Sequence, residues 1–162
     1  MHLRKESSGM YYSATETQAM QLAIAASRQA RQGGDNPFGA TLMSPQGAIL
    51  HTSRNTQNTT GDCTAHAELV LVREATAKLG ADSLRGATVF ASGEPCAMCS
   101  GAMFWAGISR VVFAATTQDI GEALGGPSLP ARCIDVLGPA QPAVSVEEGL
   151  LRADAVAALN GQ

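Results

Sequence analysis

One histidine, one glutamate and two cysteines stand at spacings that suit a metal-dependent reaction. Zinc in a catalytic site takes three protein ligands and keeps its fourth position for water, and one histidine with two cysteines is an established ligand set. His66, Cys96 and Cys99 supply that set. The two cysteines are three residues apart near a predicted helix start, so both lie on one face, where the positive end of the helix favours thiolates. The sequence therefore predicts one zinc ion per chain.

Glu68 follows His66 by two residues and is predicted to share its helical turn without sharing its direction. This suits a carboxylate that reaches the reacting water, takes its proton and delivers it to a leaving amine without binding the metal. Two alternatives remain open. The cysteines can be core thiols or a redox pair beside an ordinary helical His66, or the zinc can be structural, with Cys63 as a fourth ligand. A structural zinc would leave Glu68 without a role.

Hydrophobic periodicity and turn residues predict an α/β domain with helices packed on a central sheet. Two helix starts that follow neighbouring strand ends can meet at one edge of such a sheet, where the metal would join them. The predicted helices are 16–32, 65–79, 96–106 and 148–160. The predicted strands are 38–43 and 48–52, which form a hairpin, then 87–91, 110–115 and 143–146. A polar segment, 55–63, and a Gly- and Pro-rich segment, 125–142, separate these elements.

Composition places the chain among ordinary globular proteins, with 45% hydrophobic and 15% charged residues. We expect a single domain over residues 1–162, with residues 1–14 as a loose tail. Eleven Lys and Arg against fourteen Asp and Glu give a formal charge of -3, which disfavours a polyanionic partner. The sequence contains no run of about 18 apolar residues, the length expected of a membrane-spanning helix. Together with the metal-site spacing of the cysteines, this favours a cytoplasmic protein with reduced thiols.

Two motifs carry a family resemblance: residues 64–68, around His66-Ala67-Glu68, and residues 94–103, around Pro95-Cys96-Ala97-Met98-Cys99. They match the His-x-Glu and Pro-Cys-x-x-Cys signature of zinc nucleobase deaminases. From about Thr17 to Leu159, the chain resembles the cytidine and deoxycytidylate deaminase superfamily, in the branch of guanine deaminases, bacterial tRNA adenosine deaminases and fungal cytosine deaminase. The resemblance implies a three-layer α/β/α fold with a mixed five-stranded central sheet, a homodimer, and zinc-dependent hydrolytic deamination of a free nucleobase.

The same resemblance implies several substrate contacts. Asn55 stands eleven residues before His66, where the family places an asparagine that hydrogen-bonds the base; the alternative is a turn-forming residue. The backbone N–H of Ala67 would hold the base or the polarised water. Phe38 lies in a segment similar to the base pocket of guanine deaminases, so it either stacks on the substrate or belongs to the core.

Three further residues favour the guanine deaminase branch. Trp105, after Phe104, would close the pocket, unless it packs on the sheet or on a dimer partner. Asp119 and Glu122 match the spacing of acidic residues that guanine deaminases use near the substrate, where a carboxylate can accept from the N–H groups of guanine. The alternative for both acids is a solvated helix face.

The chain also departs from these relatives. Residues 123–130 contain none of the aromatic residues that close over the purine in guanine deaminases. Isocytosine, cytosine or a triazine such as ammeline therefore stands beside guanine as a candidate substrate. Cys63 occupies a place where relatives usually carry proline. The other candidates are a tRNA-specific adenosine deaminase and an inactive zinc-binding module, but Arg152 is the only basic residue after Arg132, which argues against RNA.

Overall fold

The structure is a computed structural model that describes residues 4–5 and 9–162. The expected loose tail, residues 1–14, lies partly outside the described residues. Within them, Arg4–Lys5 (β1) pairs antiparallel with Tyr11–Tyr12 (β2), and Tyr12 is fully buried. The expectation of a loose tail is therefore wrong from Tyr11 onward, because the Tyr12 side chain joins the core.

Five strands form the central sheet: Gly39–Met43 (β3), Ile49–Arg54 (β4), Thr88–Gly93 (β5), Arg110–Ala115 (β6) and Ser145–Glu148 (β7). Their spatial order is β4-β3-β5-β6-β7. Strand β3 runs antiparallel to β4 and β5, whereas β5, β6 and β7 run parallel to one another. The mixed five-stranded sheet is confirmed.

The helices are Ala14–Gln32 (α1), Gln57–Thr60 (α2), Ala67–Leu79 (α3), Ala97–Ala106 (α4), Thr117–Leu124 (α5), Cys133–Leu137 (α6) and Arg152–Leu159 (α7), with a 3₁₀ turn at Ala81–Leu84. Helices α2 and α6 lie in segments that were expected to be irregular. Both are a single turn or little more, too short to show a helical period of apolar residues.

Helix α1 begins two residues before the predicted start. Ser13 Oγ accepts a hydrogen bond from the Glu16 backbone N–H at 3.1 Å, and Glu16 Oε2 accepts one from the Ser13 N–H at 2.7 Å. This reciprocal pair is a capping box that satisfies two backbone donors at the helix start. Thr15 and Gln18 show the same spacing in the sequence, but the helix begins with the pair at Ser13 and Glu16.

Helices cover both faces of the sheet. One buried cluster joins α3, α4 and α6 to one face through residues that include Leu71, Met103 and Leu137. A second cluster joins α1 and α7 to the other face through residues that include Met20 and Leu159. The three-layer arrangement is confirmed. Across residues 4–5 and 9–162, no helix combines the length and the apolar character needed to cross a membrane.

The topology brings several chain segments to one edge of the sheet. Strands β4, β5 and β6 all end at this edge, because two antiparallel pairings relate β4 to β5 and a parallel pairing relates β5 to β6. The segments that follow these strands lead into α2 and α3, α4, and α5 in turn. Strand β3 begins at the same edge. Ligand sites in α/β sheets lie at such carboxyl ends.

Candidate metal centre and pocket

The predicted metal ligands meet at this edge. The donor atoms of His66, Cys96 and Cys99 lie within 4.8 Å of one another, and no other group of three or more His, Cys, Asp and Glu side chains in the described part of the chain is this close. His66 is the N-cap of α3 and Cys96 the N-cap of α4. Cys99 is one helical turn further and fully buried. His66 Nδ1 lies 3.6 Å from Cys96 Sγ.

Shared hydrogen bonds dominate the ionisation of these groups. The hydrogen bond from Cys99, helped by His66 and opposed by burial, lowers the pKa of Cys96 to about 4. The same contact, with burial, raises the pKa of Cys99. The hydrogen bond with Cys96 raises the pKa of His66. One imidazole and two thiols lie close enough to share protons. Such a set fits Zn²⁺, because the cation can replace those protons.

Glu68 lies beside the metal ligands and outside the ligand group. Its residue is only 6% exposed, on the first turn of α3. Burial raises the pKa of its carboxyl above the ordinary value, and the charge of Cys96 adds to the shift. A carboxyl held near a metal ligand set in a dry environment suits proton transfer. Cys63 is exposed and outside the group. Cys63 is therefore not placed as the fourth ligand of a structural zinc.

A pocket of about 530 Å³ opens beside the ligands, and both His66 and Cys96 line it. Its polar side includes Asn36, Asn55, Gln57, Glu94 and Thr117, and its apolar side includes Phe38, Ile120, Leu124 and Leu129. Residues 125–129, within the Gly- and Pro-rich segment, also line it. The volume is large enough to hold a small planar heterocycle.

Two of the predicted substrate contacts reach this pocket. Asn55 is 1% exposed and follows the end of β4. Phe38 precedes β3, lines the pocket and packs against both core clusters, so its two suggested roles are compatible. A side chain at Gly93 would come within 2.9 Å of the Phe38 ring, so the absence of a Cβ there makes room for it. Ala67 is buried at the first position of α3, where the N–H has no partner within the helix.

Three other predicted contacts do not line the pocket. Trp105 is 84% exposed and meets Phe104 edge to face, with centroids 5.0 Å apart. Asp119 and Glu122 lie on α5, whose pocket-facing residues are Thr117, Ile120, Gly121 and Leu124. At about 100° per residue, positions 119 and 122 lie on the side of α5 opposite to these pocket-lining residues. Recognising residues 117–124 as a helix would have revealed this.

Asp119 instead fixes α5. It accepts from the Thr116 N–H at 2.9 Å and forms two bonds of 2.8 Å with Arg152. Arg152, whose side chain is 54% exposed, lowers the pKa of Asp119 to about 2, while partial burial opposes the shift. The ion pair between Asp119 and Arg152 therefore connects the start of α5 to the start of α7.

We expect Asp119→Asn to lower the unfolding midpoint at pH 7 by roughly 1–3 °C, since a half-exposed ion pair is screened by water. A depressed pKa in the folded state stabilises the protein above the unfolded value, near 3.8, and this contribution is lost as pH falls toward 2. Paired thermal unfolding at pH 7 and pH 2.5 measures the difference in midpoint. Glu122→Gln, on the same helix, is the control. A gap between wild type and Asp119→Asn that keeps its full size at pH 2.5 contradicts the electrostatic cause.

Sequence reasoning missed an ion pair whose carboxylate, Glu94, lies in the pocket wall. Glu94, whose side chain is 1% exposed, accepts from Arg132 at 2.8 and 3.0 Å, from the Thr117 N–H at 2.9 Å and from the Cys133 N–H at 3.3 Å. Burial acts to raise the pKa of Glu94, but Arg132 and the Thr117 N–H outweigh it and the pKa is lowered. This carboxylate fastens the starts of α5 and α6 to the Cys96 loop. The contact between positions 94 and 132 has no local sequence signal.

Comparisons with known proteins agree with this geometry. Residues 13–115 match the family model described as the cytidine and deoxycytidylate deaminase zinc-binding region. The chain is 42% identical to a tRNA(Ile)-lysidine synthase of Deinococcus deserti over 110 residues, covering 68% of this chain and 20% of that protein. It is 42% identical to the guanine deaminase of Bacillus subtilis over 91 residues, covering 56% and 58%. It is 38% identical to a probable cytosine deaminase of Schizosaccharomyces pombe over 131 residues, covering 76% and 77%. The chain thus spans about one fifth of the synthase and less than two thirds of the guanine deaminase.

Solved structures share the fold. A mutant protein crystallised with 8-azaguanine superposes with a TM-score of 0.75 at 26% identity, covering 88% of this chain and 82% of the other. A structure from work on tRNA:A34 deaminases, which edit A to I at the wobble position, gives a TM-score of 0.72 at 28% identity, covering 88% and 99%. The two superpositions are of similar quality, so the fold alone does not distinguish a free base from a tRNA as the substrate.

Proposed function

The chain belongs to the cytidine and deoxycytidylate deaminase family, and we propose that it removes the amino group from a free amino-substituted nucleobase by hydrolysis. One observation carries this proposal. A His-Cys-Cys donor group has a buried glutamate beside it, and two of its members, His66 and Cys96, line a pocket large enough for a heterocycle. Guanine, isocytosine, cytosine and a triazine such as ammeline are the candidate rings.

His66, Cys96 and Cys99 would hold one zinc ion per chain. When bound at three protein ligands, zinc acidifies water and thereby supplies a nucleophile near neutral pH. The N-terminal ends of α3 and α4 both face this group, since His66 and Cys96 are their N-caps. Their positive ends stabilise the thiolate ligands, and the Ala67 N–H is available to a ligand oxygen.

Glu68 moves the protons. Water adds to the ring carbon that carries the amino group, while Glu68 takes one proton from the water and passes it to the adjacent ring nitrogen. Glu68 then carries the remaining hydroxyl proton to the amine, the C–N bond breaks, and ammonia leaves as the carbonyl forms. Burial favours this role, because a raised pKa lets the carboxyl hold the proton between the two transfers.

The pocket orients the ring. Phe38 and the aliphatic side chains of Ile120, Leu124 and Leu129 offer flat apolar surface, and Asn55 offers hydrogen bonds. We also expect a homodimer. Trp105 is exposed and off the pocket, which leaves a partner copy as the surface that would cover it.

A tRNA substrate is the second candidate, favoured by relatives such as a tRNA-specific adenosine deaminase of Streptococcus pyogenes that is 34% identical over 146 residues. Against it stand the formal charge of -3 and the pocket lining, where the described residues include no lysine or arginine to meet phosphates.

Ammonia release by the zinc-loaded protein tests the proposal. The panel contains guanine, isocytosine, cytosine, ammeline, adenine, their nucleosides and a tRNA anticodon stem. We expect turnover of at least one free base and none of the RNA. Turnover of the RNA alone replaces the proposal with the tRNA enzyme, and silence on every substrate replaces it with an inactive zinc module.

A further inference from the structure

Three side-chain amides form one hydrogen-bonded cluster on the polar side of the pocket. Gln57 Oε1 accepts from Asn55 Nδ2 at 2.7 Å and from Asn36 Nδ2 at 3.0 Å. Gln57 thus joins Asn55, which the family resemblance places on the base, to Asn36, to which sequence reasoning gave no role. All three residues line the pocket.

Backbone groups fix the polarity of this amide cluster. Gln57 Nε2 donates to the Cys63 carbonyl at 3.3 Å, and the Gln57 backbone N–H donates to Asn55 Oδ1 at 2.9 Å. A carbonyl only accepts and an N–H only donates, so neither amide can be reversed without losing a bond. The oxygen of Gln57 therefore faces the nitrogens of both asparagines.

This order leaves defined groups free for a ligand. Each asparagine keeps one side-chain N–H, and Asn36 Oδ1 has no hydrogen-bond partner among residues 4–5 and 9–162. Glu94, the one carboxylate in the described lining of the pocket, is occupied by Arg132 and two backbone N–H groups. Hydrogen bonding to the ring edge consequently falls to the amides and not to an acidic side chain.

We propose that Gln57 is a positioning residue that sets Asn36 and Asn55 to read a lactam edge, a ring N–H beside a carbonyl, of the substrate. Asn36 Oδ1 accepts from the ring N–H, and an asparagine N–H donates to the carbonyl oxygen. The chemical class is an amino-substituted ring with such an edge, in contrast to adenine, which has no carbonyl. This inference rests on the proposed deaminase function.

Matched pairs of rings isolate the lactam: isocytosine against 2-aminopyrimidine, cytosine against 4-aminopyrimidine, and guanine against 2-aminopurine. For each pair, kcat and KM are measured for wild type, Gln57→Met and Asn36→Ala. Comparing the same pair between variants cancels the intrinsic reactivity of the two rings. Gln46→Met, in an exposed turn remote from the pocket, is the control.

We expect wild type to prefer the lactam member by roughly 10²-fold or more in kcat/KM, because a polar site rejects an analogue that leaves its groups unpaired. Gln57→Met should reduce that preference about tenfold by slowing the lactam member alone, with zinc content unchanged. Asn36→Ala, at a half-buried position, should act in the same direction.

A purely structural role of Gln57 would slow both members equally and leave their ratio within twofold of wild type, which would overturn the inference. Unchanged ratios in Asn36→Ala would do the same if Gln57→Met fails to fold. A different result is that wild type turns over none of the lactam rings. That result contradicts the proposed function together with the inference. If wild type turns over the lactam rings and the variants keep its lactam preference in kcat/KM, the inference is wrong but the proposed function stands.

Discussion

Glu68→Gln should lower kcat/KM for the base that the protein turns over by roughly 10²- to 10⁴-fold, the usual contribution of a positioned acid or base. Zinc content should stay near one ion per chain. The substitution keeps the shape of the side chain and removes only its ability to exchange a proton. Glu68 is 6% exposed and outside the metal ligand group, so neither solvent nor the metal would replace its function.

Paired assays of ammonia release and metal content check this result. Glu74→Gln is the matched control, because Glu74 lies on the same helix but bonds His51 and Ser53 and is outside the metal ligand group. We expect the control to keep wild-type kinetics. Glu68→Gln with activity within tenfold of wild type would assign the proton transfers to another group.

Cys99→Ala should reduce bound zinc from about one ion per chain to near zero and abolish ammonia release. The Cys99 side chain is fully buried, one helical turn from Cys96, so no solvent-facing group can take its place. Two ligands remain after the substitution, one fewer than catalytic zinc sites hold. Metal analysis after dialysis against a weak chelator, followed by activity assay, gives both readouts.

Two cysteines provide controls for this experiment. Cys133 is equally buried, so Cys133→Ala reproduces the loss of a buried thiol without the loss of a ligand. Cys63 is exposed, and Cys63→Ala should keep zinc. Loss of zinc in Cys63→Ala would indicate a four-ligand structural site, and full zinc in Cys99→Ala would remove Cys99 from the ligand set.

The longer elements of the fold were predictable because their own residues carry the signal. Strand Arg110–Ala115 coincides with its prediction, and helix Ala67–Leu79 differs by two residues at its start. Short elements were not predictable. Helix Gln57–Thr60 owes its position to Asp35, whose Oδ1 accepts from the Asn58 and Thr59 N–H groups at 2.9 Å. That capping contact comes from more than twenty residues away, beyond any local pattern.

The same division applies to the candidate site. The ligand set and Glu68 follow from residue types and spacing, since metal chemistry restricts both. The amide cluster of Asn36, Asn55 and Gln57 does not follow from such spacing. Asn36 and Gln57 look like ordinary turn residues in the sequence, and only the pairing of β3 with β4 brings them to within 3.0 Å of each other. Asp119 and Glu122 show the converse, because their spacing is suggestive but neither residue lies on the face of helix α5 that lines the pocket.

By itself, the sequence determined the family, the layered α/β fold and the chemistry of a zinc-assisted hydrolysis. A few residues suffice for these, because a metal ligand set and a hydrophobic period are local properties. The tertiary structure alone decided which polar groups line the pocket. Hydrogen bonds between distant segments, such as the Asn36–Gln57 and Glu94–Arg132 contacts, fix donors and acceptors in space. Local residue patterns do not encode such long-range contacts, so the selectivity of the pocket emerges only from the fold.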